Sequence, residues 1–280
     1  MESWQAELSR VRTELSLYGR QRRTVVAKES EIINSIDRAL DILLLLQQEG
    51  QEMGVTQMSG RLGMHKSTVY RTLNTLEQKG FVQQNADTGK YWLGIKLYSL
   101  GMSIKEKLVL TKIIYPYAKE LAERFREVVH VSVLDTGAEN YPKHIIIDKV
   151  GRQVLSLTPP IGSSAPCHCS AVGKCLLAFS SPEYLNRFIG KALPGFTAKT
   201  IVDWDKLLQE LACVREKGYA YDDEELEMGL TCVAAPIFGQ GQEAIAALSL
   251  SGPSSRVSEH FDELIAELGK TTRIISSLMR

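Results

Sequence analysis

Long hydrophobic runs are missing from the sequence, whose longest ones, such as Ile42 to Leu46, have five residues. A helix that crosses a bilayer needs about 20 apolar residues, so we expect no membrane segment. The first residues also lack the charged region and apolar stretch of a secretory signal. The five cysteines are an odd number without framework spacing, which favours reduced thiols and a cytoplasmic protein.

An excess of charge of one sign is missing as well, since 33 basic and 33 acidic residues give a formal net charge of zero. A protein that bound nucleic acid by electrostatics alone would be basic, and this total argues against one. The charge is unevenly distributed, however. Residues 55–93 carry five basic and two acidic side chains, a net charge of +3, whereas five of the six residues from Asp222 to Glu227 are acidic. A basic module is therefore offset elsewhere in the chain.

Helical spacing of apolar residues begins after a polar leader of unknown role at residues 1–30. An i, i+3, i+4, i+7 pattern predicts an amphipathic helix over about 31–49. The members of this stripe are Ile32, Ile33, Ile36, Ala39, Leu40, Leu43 and Leu44. Thr56 is the predicted cap of a second, short helix that Gly63 terminates.

A third helix and a hairpin follow. The helix is predicted to begin at Ser67 or the residue before it and to end near Lys79, where a glycine follows. Its predicted inward face is Val69, Leu73 and Leu76. Residues 81–84 and 91–93 have strand character, and the intervening Asp87-Thr88-Gly89-Lys90 is a turn. Three helices followed by a hairpin, within about 65 residues, is the order of a winged helix.

Residues 94–110 have few helix breakers and are predicted to form a connecting helix. Beyond it, the predicted helices include one that begins near Ser170 and a final one at 257–278, and the predicted strands include 154–157. These helices and strands do not alternate strictly. That favours an α+β domain with an antiparallel sheet over a doubly wound fold. The 280 residues thus divide into the leader, a winged helix-turn-helix at 31–93, the connecting helix and a mixed α/β domain at 111–280.

The start of the third helix has the residues of a DNA recognition helix, whose first turns enter the major groove. Ser67 and Thr68 are short hydrogen-bonding residues suited to phosphate or base contacts, and Lys66 suits phosphate. Arg71, one turn further on, can reach guanine O6 and N7 through two hydrogen bonds. We therefore expect this helix to bind double-stranded DNA.

Two further side chains extend the predicted DNA-binding surface. Tyr70 can contact the DNA backbone or a thymine methyl group, and Lys90 at the hairpin turn suits a second phosphate. The alternative is a helical hairpin with a solvated polar face. The combination of a capped helix, a glycine turn, a Lys-Ser-Thr opening and a basic hairpin favours DNA binding.

Five separated motifs resemble the IclR family of prokaryotic regulators, in family order and over about residues 30–280. The motifs are Gly63-Met64-His65-Lys66-Ser67-Thr68-Val69-Tyr70-Arg71-Thr72-Leu73, Lys90-Tyr91-Trp92-Leu93-Gly94, Cys167-His168-Cys169-Ser170-Ala171-Val172-Gly173-Lys174, Asp222-Asp223-Glu224-Glu225 with Gly229-Leu230-Thr231-Cys232-Val233-Ala234-Ala235-Pro236, and Ser249-Leu250-Ser251-Gly252-Pro253. The resemblance implies a regulator of a catabolic operon, with repression favoured over activation. It also implies a palindromic operator, self-association into dimers or tetramers, and no cofactor.

The same resemblance implies a GAF-like effector domain that binds a small organic acid or an aromatic acid. The positions that would line its pocket are Val154, Leu157, Ala165, Ala171, Val172, Asp222, Cys232, Ser249 and Ser251. Amide N–H groups at the start of a helix favour a carboxylate, which suits Ala171 and Val172. Ser249 and Ser251 lie on one face of a predicted strand, because the strand period is two.

Each of these pocket positions also has a purely structural interpretation. Asp222 lies in an acidic run that can be a solvated surface, Cys232 can be a core residue, and the two serines can lie on a strand surface. Cys167-His168-Cys169 offers thiolate and imidazole ligands, but no second pair completes a tetrahedral zinc site, so we expect no metal. Cysteine at these positions departs from the family, where they are usually apolar or small.

Two other function classes are alternatives to a ligand-responsive regulator. A hydrolytic enzyme with an appended helix-turn-helix could use His144, His168, the acidic run and the cysteines. No nucleophile elbow, H-E-x-x-H motif or phosphate-binding loop supports it. A ligand-free DNA-organising protein is the other, and the large mixed α/β half argues against it.

Overall fold

The computed structural model describes residues 33–151 and 159–279, apart from the side chain of Lys107. The predicted leader and the predicted strand at 154–157 lie outside the described residues. The chain forms two compact units that divide between Lys105 and Glu106. No helix in the described part of the chain is long and apolar enough to cross a membrane.

In the part of the chain that the structure describes, the first unit contains three helices and a hairpin, followed by most of the connecting helix. Their bounds are α1 (Asn34–Glu49), α2 (Val55–Leu62), α3 (Lys66–Gln78), β1 (Val82–Gln84) and β2 (Tyr91–Leu93). Gly50 and Gly63, both with φ of 64°, end α1 and α2 in the left-handed conformation that glycine adopts without strain. The two strands are antiparallel. The predicted winged helix-turn-helix is confirmed.

The core of this unit collects one face of each helix and the inner side of the hairpin. Its buried members are Ile42, Leu46, Met53, Met58, Val69, Leu73, Val82 and Tyr91. Val69 and Leu73 lie one turn apart on α3, which is the predicted inward face of that helix.

Most of the predicted apolar stripe of α1 does not pack on this core, and Leu43 is the one described member that contacts it. Ile33, Ile36, Leu40 and Leu44 are between 53% and 62% exposed, and α1 buries Ile42 and Leu46 instead. Apolar residues surround much of this helix, so that periodicity alone did not identify its packed face. An apolar stripe of four residues, hereafter the α1 stripe, is therefore exposed in the single chain.

Thr56 was wrongly predicted to cap α2, since it lies exposed within the helix. The helix begins one residue earlier, and Gly54 is its N-cap. The backbone N–H of Gly54 donates to Oε1 of Gln57 at 2.9 Å. The capping hydrogen bond predicted for the threonine is thus replaced by one from the N-cap backbone to the side chain of Gln57.

The second unit contains a six-stranded antiparallel sheet and the remaining helices. Their bounds are α4 (Ile95–Lys107), which crosses the division between the units, α5 (Val109–Phe125), β3 (Val128–Leu134), β4 (Lys143–Val150), β5 (Ser164–Pro166), α6 (Ala171–Ala178), α7 (Pro182–Asn186), α8 (Trp204–Lys217), β6 (Ala220–Asp223), β7 (Leu230–Phe238), β8 (Ala244–Pro253), α9 (Ser254–Glu259) and α10 (Phe261–Leu278). The strand order is β5-β4-β3-β8-β7-β6. The predicted α+β class is confirmed.

Helices cover both faces of this sheet, and each face has its own core. On one face α6 and α8 bury Leu176 and Leu211 against Ala234 of β7. On the other, α5 and α10 bury Ile114 and Leu268. Successive strand residues therefore contribute to opposite cores, as the strand period of two requires.

Two predicted helices are divided in the structure. The connecting helix ends at Lys107 instead of 110, because Leu108 leaves the helical region with φ −73° and ψ 82°. Thr111 then donates its hydroxyl hydrogen to the Leu108 carbonyl at 3.0 Å, within the first turn of α5. The final predicted helix, 257–278, begins at Phe261 after a break at His260, and the short α9 precedes it.

Candidate functional site

The first turns of α3 present the predicted DNA-binding side chains to solvent. Lys66, Ser67 and Arg71 are exposed and Tyr70 is 52% exposed, whereas Thr68 is half-buried. Because α3 begins at Lys66, the backbone N–H groups of its first two residues have no intrahelical acceptor. Neither has any other acceptor in the described chain. A helix start with free amide donors suits a phosphate oxygen.

The cations of this surface are free of protein partners. In the described residues no carboxylate lies within ion-pair distance of Lys66, Arg71 or Lys90, whereas Arg61 on α2 pairs with Glu49 at 3.2 Å. An unpaired exposed cation can approach DNA phosphate without first breaking a salt bridge.

The hairpin that carries Lys90 is held in shape by its own side chains. The Asn85 side-chain oxygen accepts from the backbone N–H of Asp87 at 2.9 Å, and its amide group donates to Glu52 at 2.8 Å. The Thr88 hydroxyl donates to the same carboxylate at 3.0 Å. These bonds fix the hairpin turn against the loop between α1 and α2 and leave Lys90 exposed.

A second candidate site lies on the sheet face that α6 covers. Strand alternation puts His130 and Ser132 of β3 on this face, with Ser249 and Ser251 of β8 next to them. Cys232 of the adjacent strand β7 pairs with Ser251. The intervening residues of these strands point into the apolar core beneath α5 and α10. A polar row thus crosses the middle of the sheet.

This row and the start of α6 line a cavity of about 50 Å³. Seven of the nine residues predicted to line the effector pocket lie around it, namely Ala165, Ala171, Val172, Asp222, Cys232, Ser249 and Ser251. The other two, Val154 and Leu157, fall outside the described residues. One cavity thus collects side chains from all six strands of the sheet and from a helix.

Several cavity residues were not predicted from the sequence. The polar ones are His130, Ser132, His144 and Ser170, and the apolar ones include Ile146, Leu226 and Leu230. The alternation of His130 with Ser132, in a strand otherwise rich in valine, is a signal that could have identified them. His144 entered only as a component of a hydrolytic site.

Asp222 is the acidic group of the cavity and is only 2% exposed. Burial raises its pKa to about 7, although a hydrogen bond from the Glu225 backbone N–H, at 2.8 Å, acts in the opposite direction. Lys174 of α6 lies near enough to lower the pKa of Asp222 and pairs directly with Glu225 at 2.6 Å. Asp222 therefore exchanges a proton near neutral pH, where it accepts or donates a hydrogen bond.

The two cavity histidines are neutral at physiological pH. Burial, with a smaller contribution from Lys149, lowers the pKa of His130 to about 4. Burial, followed by the nearby His130, lowers that of His144 to about 3. His130 Nε2, His144 Nδ1 and the Ser132 hydroxyl are buried without a hydrogen-bond partner in the described chain. Buried polar atoms of this kind usually have a partner, so they indicate a ligand site.

The cysteines are free thiols, of which Cys167, Cys169 and Cys175 are buried and Cys213 and Cys232 are half-buried. Burial raises the pKa of Cys232 well above its usual range, and the same holds for Cys167 and Cys169. His168 is bound through Nε2 to the Pro194 carbonyl at 2.8 Å. Among the described residues, no three histidine, cysteine or carboxylate groups are arranged to hold a metal ion.

A helix-turn-helix with an exposed basic recognition face, joined to a unit with a small, partly open cavity, defines a DNA-binding transcription regulator. The chain belongs to the IclR family. Residues 35–86 match the IclR helix-turn-helix domain, and residues 102–277 match the family described as bacterial transcriptional regulator IclR C-terminal.

Known proteins show the same relationship. The chain is 33% identical to the transcriptional repressor IclR of Escherichia coli K12, over 90% of each chain. It is 34% identical to the HTH-type transcriptional regulator KdgR of that strain, over 90% of this chain and 95% of the relative. The fold is similar to that of an IclR homolog from Microbacterium hydrocarbonoxydans complexed with 4-hydroxybenzoate. That structure has a TM-score of 0.71 and 23% identity, with 87% of this chain and 99% of the homolog covered.

These relatives are transcriptional regulators and not enzymes, which removes the hydrolytic alternative. The histidines, acids and cysteines that suggested it are explained by other roles. His144 and Asp222 line the cavity, and His168 is bound to backbone.

Proposed function

We propose that this protein is a cytoplasmic, ligand-responsive repressor of a catabolic operon, with a small organic acid as its effector. The observation that carries the proposal is that one chain combines two features. A basic helix start has no ion-pair partner among the described residues, and three buried polar atoms of the cavity have no hydrogen-bond partner there. The first feature suits DNA and the second a small molecule. Repression is supported by the similarity to the transcriptional repressor IclR of Escherichia coli.

DNA recognition would use Lys66, Ser67, Thr68, Tyr70 and Arg71 of α3. Lys90 on the hairpin would add a phosphate contact. One winged helix reads only a few base pairs, so a specific operator needs two copies of the chain, and a palindromic site matches their two-fold symmetry.

Self-association is supported by apolar side chains that the single chain leaves exposed. The α1 stripe is one set, and α4 adds Ile95, Tyr98, Leu100 and Ile104, which are 46–77% exposed. A dimer through the first unit and the connecting helix would cover both sets. Pairing of dimers through the second unit would give the tetramer that the family resemblance implies.

The effector would bind in the cavity, with its carboxylate at the start of α6. The N–H groups of Ala171 and Val172 have no acceptor in the described chain, and the helix dipole favours an anion there. The IclR homolog complexed with 4-hydroxybenzoate gives a precedent for an acid ligand. Asp222, Cys232, Ser249 and Ser251 would supply the remaining polar contacts.

Regulation requires that the acid binds two arrangements of the dimer with different affinity. The predicted linker region, residues 94–110, would transmit the change by altering the spacing of two recognition helices. Coupling of ~1–3 kcal/mol, a factor of about 5–150 in DNA affinity, is typical of such systems.

Fluorescence anisotropy on labelled DNA from upstream of the protein's own gene tests this proposal. We expect tight, salt-dependent and sequence-selective binding that one member of a panel of keto, hydroxy and aromatic acids shifts. Ser249→Ala should weaken the response to the acid and leave DNA binding intact. Binding that is equal on scrambled DNA, or that no acid changes, would contradict the proposal.

A further inference from the structure

We propose that His144 makes the cavity selective for a small aliphatic hydroxy acid, because its imidazole offers an acceptor nitrogen to a ligand hydroxyl group. The inference rests on the proposed function, in which this cavity binds an organic acid. It goes further by stating which oxygen chemistry the acid must carry next to its carboxylate.

The hydrogen bonds around Ser170 determine the tautomer of His144. The Ser170 hydroxyl lies 2.9 Å from the Pro166 carbonyl oxygen and 3.0 Å from His144 Nε2. A carbonyl can only accept, and a hydroxyl has a single hydrogen. If that hydrogen goes to Pro166, every contact is satisfied when Nε2 of His144 carries the ring proton and donates to Ser170.

His144 Nδ1 is then an unprotonated acceptor. The ring is neutral, since burial lowers its pKa to about 3, and only one of its nitrogens carries a proton. Nδ1 has no partner in the described chain, and the residue is only 2% exposed. A ligand hydroxyl can donate to this nitrogen, whereas a ketone oxygen would oppose it lone pair to lone pair.

Two polar groups on the neighbouring strand can add to this recognition. His130 and Ser132 line the same cavity, and both Nε2 of His130 and the Ser132 hydroxyl are buried without a hydrogen-bond partner among the described residues. The other nitrogen of His130 lies 3.4 Å from the Ser251 hydroxyl. Three unsatisfied polar atoms from β3 and β4 thus suit a ligand with more than one hydroxyl group.

The rest of the cavity restricts the size and type of the acid. A volume of about 50 Å³ holds only a few water-sized groups, which favours a small acid over a benzoate. No phenylalanine, tyrosine, tryptophan, lysine or arginine belongs to its described lining. Without a cation in that lining, the α6 amides are available as donors to the carboxylate, and none of the described lining residues has an aromatic side chain that could stack on a ring.

Isothermal titration of the full chain, without DNA, provides the test. The probes are D- and L-glycerate, lactate, pyruvate and propionate, and 4-hydroxybenzoate is the aromatic control. Lactate and pyruvate differ only in a hydroxyl group and a ketone at the same carbon. We expect glycerate to bind most tightly and lactate to bind about tenfold or more better than pyruvate or propionate.

Two His144 variants separate the role of each ring nitrogen. In His144→Asn the amide oxygen stands near the position of Nδ1, so the preference for lactate over pyruvate should be retained. In His144→Gln the amide nitrogen can replace Nε2 towards Ser170, but no acceptor remains at the Nδ1 position. The lactate preference should fall to about twofold or less, while the melting temperature stays close to that of the asparagine variant.

The inference fails if pyruvate binds as well as lactate, if 4-hydroxybenzoate binds best, or if none of the hydroxy acids binds. It also fails if the glutamine variant keeps the preference. These results leave the proposed function standing as long as some acid still shifts DNA binding. Loss of selective DNA binding, with the lactate preference intact, would instead remove the proposed function and leave the cavity chemistry in place.

Discussion

Replacement of Lys174 by methionine removes a cation that α6 buries beside the effector cavity. The side chain is 1% exposed, and its Nζ lies 2.6 Å from Glu225 and 3.1 Å from Glu210. Burial alone would lower the pKa of Lys174, but the two carboxylates raise it above its ordinary value. The lysine is therefore charged in the folded protein, and methionine fills a similar volume without the charge.

The expected loss of stability follows from the buried carboxylate that remains when the lysine is removed. The Glu225 side chain is 9% exposed, and one of its oxygens has no partner among the described residues. Without Lys174 this carboxylate is buried and unpaired, a change that costs ~3–5 kcal/mol. Since 1 kcal/mol corresponds to about 2–4 °C for a unit of this size, the melting temperature should fall by about 6–20 °C.

Urea denaturation at pH 7.5 of the wild type, Lys174→Met and Lys174→Met with Glu225→Gln measures this effect. The double variant removes both buried charges and should recover most of the loss, because Glu210 is 34% exposed and stays hydrated. A single variant within 1 kcal/mol of the wild type would refute the reasoning. So would a double variant no more stable than the single one.

Three further predictions concern DNA binding, pH dependence and the join between hairpin and linker. In anisotropy titrations, Arg71→Ala should weaken the free energy of DNA binding by ~1–3 kcal/mol and relax specificity at one base pair. Lys79→Ala, at the far end of α3, should do neither. Equal effects of the two substitutions would exclude the arginine from base contact. Burial raises the pKa of Asp222 to about 7, so folding takes up a proton and stability falls as pH rises from about 5 to 7. Asp222→Asn should flatten this slope in urea titrations across that range, and an unchanged slope would contradict the assignment. Gly94→Ala would place its Cβ on the backbone carbonyl of Gly80, just before β1, and should lower the free energy of unfolding by ~1–3 kcal/mol. Gly101→Ala meets open space and should be neutral or stabilising. Equal melting temperatures for the two variants would contradict this packing.

Local signals in the sequence were sufficient to predict the helices whose ends are marked by capping residues or glycines. The bounds of α3 follow from its polar start and the glycine after it, and the helix predicted near Ser170 begins at Ala171. There the serine side chain accepts from the Gly173 N–H at 3.2 Å. Such caps depend on neighbouring residues alone, which a sequence displays directly.

Features set by distant contacts were harder to predict. β5 and β6 are short edge strands, and β6 ends with the first two residues of the acidic run, for which a solvated surface was the alternative to a place in the pocket. Asp222 in that strand is buried while its neighbour Asp223 is half-buried, because their side chains alternate across the sheet. The packed face of α1 was missed for a similar reason, since its partners come from α3 and the hairpin.

Some residues of the cavity were predictable from the sequence and others were not. Seven of its predicted residues came from the family resemblance, and the structure brings them together, although their role in binding stays a prediction. His130 and His144 are 14 residues apart in the sequence and approach each other only through the pairing of β3 with β4. Their unpartnered nitrogens are a property of the folded environment, and no local pattern reports it.

The position of the cavity on the sheet has a consequence for protein engineering. Its polar side chains occupy alternate strand positions, and the residues between them build the separate core beneath α5 and α10. Substitutions at the cavity positions can therefore change ligand chemistry with little effect on that core. A library restricted to His130, Ser132, His144 and Ser249 is a compact starting point for biosensors that report new acids through an unaltered DNA-binding unit.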